Sequence, residues 1–204
     1  MRTWLSLFFL QALLIMIVLF AGCTAPSSPA TLSGVAPTVP SAAATGTVAG
    51  ISEALTLRID SIGQGAVLPN EYSCKGLSVS PEVSWNGIPS GTKSLVLILD
   101  DPDAPSGSFT HWLVYNIPPA TGSLSRAQPN EKVLGNGAQQ GETTAGSRGY
   151  YPPCPPVGTT HRYLFRLYAL DTEIAQPSAN RDSIDSAMNG HIIGKTVFET
   201  KLSR

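Results

Sequence analysis

Three apolar runs of strand length, KSLVLILD (93–100), HWLVYNIP (111–118) and HRYLFRLYALD (161–171), constrain this chain more than any other feature. Each is rich in β-branched or aromatic residues, the pattern of strands covered on both faces, so the three are expected at the centre of a sheet. EALTLRIDSI (53–62) alternates instead, with Leu55, Leu57 and Ile59 on one face and Thr56, Arg58 and Asp60 on the other. That is the signature of a half-buried strand. SPEVSW (80–85) and KTVFETKL (195–202) complete the strand set, and RDSIDSAMNGH (181–191) reads as a short capped helix stopped at Asn189-Gly190. With 19 glycines, 17 prolines and 42% hydrophobic residues, the expectation is a turn-rich, mainly β domain with a real core.

The first 23 residues stand apart. Arg2 is followed by an apolar run from Trp4 to Ala21 and small residues before Cys23, the layout of a targeting segment. Its ending, LFAGC, resembles a lipobox with Cys23 as the lipidation site, although Phe20 stands where an aliphatic residue is usual. An uncleaved N-terminal membrane anchor is the other reading, the run sitting at the lower edge of what spans a bilayer. Either way the rest of the chain is expected outside the cytoplasm, tethered to a membrane. Residues 24–52 carry no charge and mix Pro, Ser, Ala, Thr and Gly, so they read as a disordered linker. The folded domain is expected over residues 53–204.

Setting Arg2 aside, twelve basic residues face 14 acidic ones, with no basic run interleaved with aromatics. Nucleic acid is therefore not an expected partner.

Two Gly/Pro-rich segments, 64–81 and 128–160, break the strand pattern, and loops of this length in a compact domain tend to be functional or disordered. The second leads directly into His161. Between the first two apolar runs lies DDPDAPSGSFT (100–110), which places Asp101 and Asp103 two apart, flanked by Pro102 and Pro105. In extended chain these carboxylates share a face, as do His161 and Tyr163, while Arg162 points away. If the three central strands are neighbours, their ends bring Asp101, Asp103, His111, His161 and Tyr163 together. A carboxylate beside a histidine favours the charged ring, so the cluster is expected to act as a cationic donor at neutral pH, supplemented by Tyr163 and loop N–H groups. Such a pocket suits phosphate, sulfate or carboxylate. Arg162 is expected to pair with an aspartate beneath the pocket, Asp100 to anchor the strand end, and His191 to be structural or on the surface.

PEVSWNGIPSGTKSLVLILDDPDAPSG, HWLVYNIP, GYYPPCPPVGTTHRYLFRLYALD and AMNGHIIGKTVFETKL resemble, in this order, the phosphatidylethanolamine-binding protein family and its prokaryotic Raf-kinase-inhibitor-like branch. The resemblance covers nearly all of Leu55 to Leu202. It implies a large antiparallel sheet packed on a smaller one, with one or two short helices near the C-terminus. It also implies an anion pocket lined by Asp101, Asp103, His111, His161 and Tyr163, with Pro105, Phe109 and Cys154 at its rim. From the residues themselves, Tyr150 and Tyr151 are read as covering the core edge, with Tyr150 able to reach the pocket. The implied partners are a small anionic ligand or a phospholipid head group. Inhibition of a protein target such as a protease or kinase is the alternative.

The resemblance places the loops carrying Cys74 and Cys154 at one end of the fold, and in an oxidising compartment the two are expected to form a disulfide. No cofactor and no metal are expected, since neither a metal-spacing cluster nor a Walker loop is present. Without a GxSxG elbow, a hydrolase using His111 or His161 as general base has no supporting motif, and the chain is not read as an enzyme.

Overall fold

In the computed structural model, residues 54–175 and 179–204 are described. The targeting segment, the linker and Cys23 lie outside the described residues. Eight strands and one α-helix follow in chain order: β1 (Thr56–Ile59), β2 (Val83–Asn86), β3 (Ser94–Asp101), β4 (Phe109–Ile117), β5 (Ser123–Leu124), β6 (Gln139–Gln140), β7 (Thr160–Leu170), α1 (Arg181–Met188) and β8 (Ile192–Ser203). They form a five-stranded sheet ordered β6-β4-β3-β7-β8 and a three-stranded sheet ordered β1-β2-β5, antiparallel throughout. This is the mainly β architecture expected, with β4, β3 and β7 inside the larger sheet.

β3 is buried along its whole length because both of its faces are covered. Leu95, Leu97 and Leu99 point into the core between the sheets, with Trp85, Trp112, Phe165 and Leu167. Val96 and Ile98 point the other way, into a second cluster closed by Ile184 and Met188 of α1. Each such side chain removed from water contributes about 1.5–3 kcal/mol, which offsets the desolvation of the two aspartates at the strand's end.

α1 starts where a reciprocal cap forms. The Asn180 side chain accepts from Ser183 N at 3.0 Å, while Ser183 Oγ accepts from Asn180 N at 3.1 Å. The helix is thereby set over the back of the sheet, where Arg181 Nη1 reaches Asp100 at 2.5 Å and Thr110 Oγ1 donates to the same carboxylate at 3.0 Å. Asp100 is 2% exposed, and Arg166 Nε approaches it to 3.4 Å. The aspartate that anchors the strand end is thus held by two arginines on the face opposite Asp101.

Candidate ligand-binding site

Antiparallel pairing decides which strand ends meet. β3 ends where its neighbours β4 and β7 begin, with Asp101 opposite Phe109 and Asp100 opposite Leu164. Side-chain parity then sorts the residues: Asp101, His161 and Tyr163 belong to the face turned toward the smaller sheet, and Asp100, Arg162 and Arg166 to the other.

His111 reaches the same face by a different route. The register steps from Leu99 opposite Trp112 to Asp100 opposite Thr110, so β4 carries one extra residue, and that residue is His111. A bulge of this kind turns two consecutive side chains to one side of a sheet and re-aims the inserted one. Thr110 consequently joins Asp100 at the back, while His111 stands at the front beside Asp101.

The result is a cavity of about 260 Å³ walled by Asp101, Pro105, Phe109, His111, Tyr151 and His161, with Cys154, Pro155 and Pro156 completing the rim. Asp101, His111 and His161 are 4%, 5% and 6% exposed, so each meets solvent only through this opening. His161 Nδ1 donates to Asp101 Oδ2 at 2.7 Å, and Asp101 Oδ1 accepts from Asp103 N at 2.9 Å. His111 Nδ1 donates to the Tyr151 carbonyl at 2.9 Å, and Tyr151 N donates back to the His111 carbonyl at 2.8 Å. Phe109 lies 4.6 Å from the His111 ring and 5.6 Å from the Tyr151 ring, an aromatic wall on one side.

Not every expected residue faces this cavity. Asp103 turns outward, because β3 ends at Asp101 and the following turn breaks the two-residue parity. It accepts from Arg162 Nη2 at 2.7 Å, Nε at 3.0 Å and the backbone N at 2.9 Å. These bonds hold its carboxyl down to about 2. Arg162 is half exposed, so its pair is a surface clamp on the turn rather than a buried one; the buried arginine pair is Arg181 and Arg166 on Asp100. Tyr163 is sealed beneath the floor, edge-on to His111 at 5.4 Å, with its hydroxyl within reach of the Asp101 carboxylate. Burial, and next the Asp101 charge, push that hydroxyl well up. Tyr150 is directed into the core, donating to the Tyr72 carbonyl at 2.6 Å and packing edge-on against Trp112. Its neighbour Tyr151 takes the cavity position.

Two chemical expectations also change. Burial lowers the His111 pKa, outweighing the carbonyl bond and the Asp101 and Asp100 charges that raise it. His111 is therefore a neutral ring at neutral pH rather than a cationic donor. Prolines at 152, 153, 155 and 156 leave the adjacent loop with few backbone donors. That loop is held instead by a Cys74–Cys154 disulfide with a Cα separation of 5.4 Å and by the Cys74 N to Pro153 O bond at 3.0 Å.

His191 lies on the surface, with Nδ1 at 2.8 Å from Asp171 Oδ1. A larger cleft of about 410 Å³ opens at the start of α1, but its arginine is already committed to Asp100 and Asp185. Among the described residues no three His, Cys, Asp or Glu groups are placed to share a metal ion.

Two packed antiparallel sheets with a small histidine and aspartate cavity at the strand ends define the class of domain. The family model for phosphatidylethanolamine-binding protein matches residues 58–202, and the chain belongs to that family. It is 44% identical over 142 residues to a UPF0098 protein of Methanothermobacter thermautotrophicus, covering 69% of this chain and 93% of that one. The candidate lipoprotein LppC of Mycobacterium tuberculosis is 39% identical over 132 residues, covering 64% of this chain and 63% of its own length. Among solved structures, the phosphatidylethanolamine-binding protein homologue CT736 of Chlamydia trachomatis superposes with a TM-score of 0.69 at 36% identity, covering 75% of this chain and 99% of that one. Escherichia coli YbcL superposes at 0.68 with 28% identity, covering 74% and 98%.

Proposed function

We propose that this domain binds a small anionic group in the cavity bounded by Asp101, His111 and His161, with His161 as its principal contact. The observation that carries this reading is the sealed His161–Asp101 hydrogen bond. The His161 Nδ1–H is held by the carboxylate, which fixes the ring and leaves the opposite nitrogen on the cavity side as the contact for an anion. The cavity, about 260 Å³, admits a group the size of a phosphate with a short substituent and lies just below the range usual for drug-sized ligands. Membrane tethering outside the cytoplasm is part of the same reading. It is supported by the sequence of residues 1–23 and by the likeness to a candidate lipoprotein.

The test of binding is a thermal-unfolding series in inorganic phosphate. Phosphate raises the midpoint in proportion to the logarithm of its concentration, and His161→Ala abolishes the rise. An unresponsive wild-type protein contradicts the reading. For tethering, the intact mass of the membrane-extracted protein corresponds to an acylated chain beginning at Cys23, and a soluble unmodified product contradicts it.

A further inference from the structure

The Cys74–Cys154 bridge lies outside the core. Both cysteines are exposed, and Cys154 forms part of the cavity rim. Arg204 Nη1 donates to Cys154 Sγ at 3.3 Å, whereas among the described residues no donor reaches Cys74 Sγ. The two sulfurs are therefore chemically unequal: a thiolate formed at Cys154 has a guanidinium beside it, and one formed at Cys74 does not.

The rim segment 152–157 leans on this bridge. Prolines at 152, 153, 155 and 156 leave it two amide donors, Cys154 and Val157, and neither finds a backbone acceptor among the described residues. Apart from Arg204 on the sulfur itself, the bonds that tie the segment to distant parts of the chain come from Cys74, through the disulfide and through Cys74 N to Pro153 O at 3.0 Å. Its flanks are fixed separately. Tyr151 N donates to His111 O at 2.8 Å, Gly158 N to Arg204 O at 2.6 Å, and Arg204 N to Thr159 O at 3.1 Å. Opening the bridge thus frees the middle of the rim while its flanks and the sheets stay in place.

We infer that the Cys74–Cys154 bridge is a thiol-exchange site that latches this wall of the cavity, opened by a dithiol, with Cys154 as the sulfur that leaves. One thiolate of the dithiol attacks Cys74 Sγ and forms a mixed disulfide, and the electron pair of the broken bond goes to Cys154 Sγ beside Arg204. The second thiol, deprotonated, attacks the reagent's own sulfur in that mixed disulfide and expels Cys74. The bridge gains two electrons, the dithiol loses two in closing its own disulfide, and its two protons pass to Cys74 and Cys154. A cation beside a thiol lowers its pKa, and the thiol of lower pKa leaves faster. Exposure places the bridge in the labile class of disulfides.

The experiment uses the full chain under native conditions. First, a brief exposure to glutathione is quenched with N-ethylmaleimide and read by peptide mapping, which separates Cys23. Glutathione is found on Cys74 and maleimide on Cys154, in about tenfold excess over the reverse pattern, and Arg204→Gln brings the two patterns within about threefold while slowing opening by at least about threefold. Second, dithiothreitol is added and amide exchange is followed by NMR. The Cys74 amide, released from Pro153 O, exchanges at least about tenfold faster, while the Tyr151 and β3 amides keep their rates and the circular dichroism is unchanged. Glutathione mainly on Cys154, or a pattern that Arg204→Gln leaves unaltered, overturns the assignment of the leaving sulfur. A bridge that opens only as fast as the whole domain unfolds, or whose reduction speeds exchange in β3, overturns the latch.

Discussion

His161 Nδ1 and Asp101 Oδ2 stand 2.7 Å apart at the meeting point of two antiparallel strands, both side chains less than a tenth exposed. Removing the charge while keeping the shape tests what the carboxylate does. Asp101→Asn is expected to weaken phosphate binding at least tenfold and to lower stability by about 1–3 kcal/mol, the range for a buried hydrogen bond to a charged group. Calorimetry and urea unfolding on the same preparation check both numbers.

His111 gives the domain a pH dependence with a definite sign. Its folded pKa lies below the ordinary value near 6.5, so in the window between them the unfolded chain holds the extra proton. The contribution of His111 is therefore present above about pH 6.5 and is lost as pH falls through the folded value. Wild-type protein is expected to lose stability more steeply than His111→Gln between pH 7.5 and pH 5, and urea midpoints across that range measure the difference. Equal slopes would refute the assignment of a neutral ring.

On the back of the sheet, Asp100 depends on Arg181. Arg181→Met keeps the aliphatic stem but leaves a carboxylate with only Thr110 and the more distant Arg166. A loss of about 2–4 kcal/mol is expected, somewhat less than for a fully buried pair because Arg181 is partly exposed. Hydrogen exchange should rise first in α1, whose first residue is this arginine.

The disulfide closes a separation of 80 residues onto a loop with few backbone donors. In chain-entropy terms it contributes about 4.5 kcal/mol, and removal of such bridges commonly costs 2–5 kcal/mol. The double variant Cys74→Ser, Cys154→Ser is expected to unfold at lower denaturant and to bind phosphate more weakly, since the same loop supplies the Tyr151 carbonyl that sets the His111 tautomer. Unchanged affinity would show that the loop holds its place without the bridge.

Much of this molecule was legible because burial on two faces leaves a plain trace. The continuous apolar runs became β3, β4 and β7, and the alternation of Leu55, Leu57 and Ile59 became the edge of the smaller sheet. Strand parity likewise separated His161 from Arg162. It failed wherever the backbone stops being a regular strand. Asp103 lies past the last residue of β3, so the two-residue rule that joined it to Asp101 no longer applied. Tyr150 and Tyr151 are adjacent in a proline-rich loop, where no period says which one turns inward. The bulge at His111 is a property of register between two strands, and no local sequence signal marks it. The protonation of His111 was misjudged because the pairing carboxylate is visible in sequence, whereas the depth of burial that outweighs it is set by the packed fold.

An anion held in this cavity is proposed to sit between His111 and His161. The most direct measurement is nitrogen-15 NMR of the three imidazole side chains during titration with inorganic phosphate. His191, paired with Asp171 on the surface, serves as the internal control. Saturable movement of the His161 and His111 ring nitrogens with a shared dissociation constant is expected, with His191 still. Ring signals of His161 and His111 that stay fixed at high phosphate, or that move no more than those of His191, would contradict it.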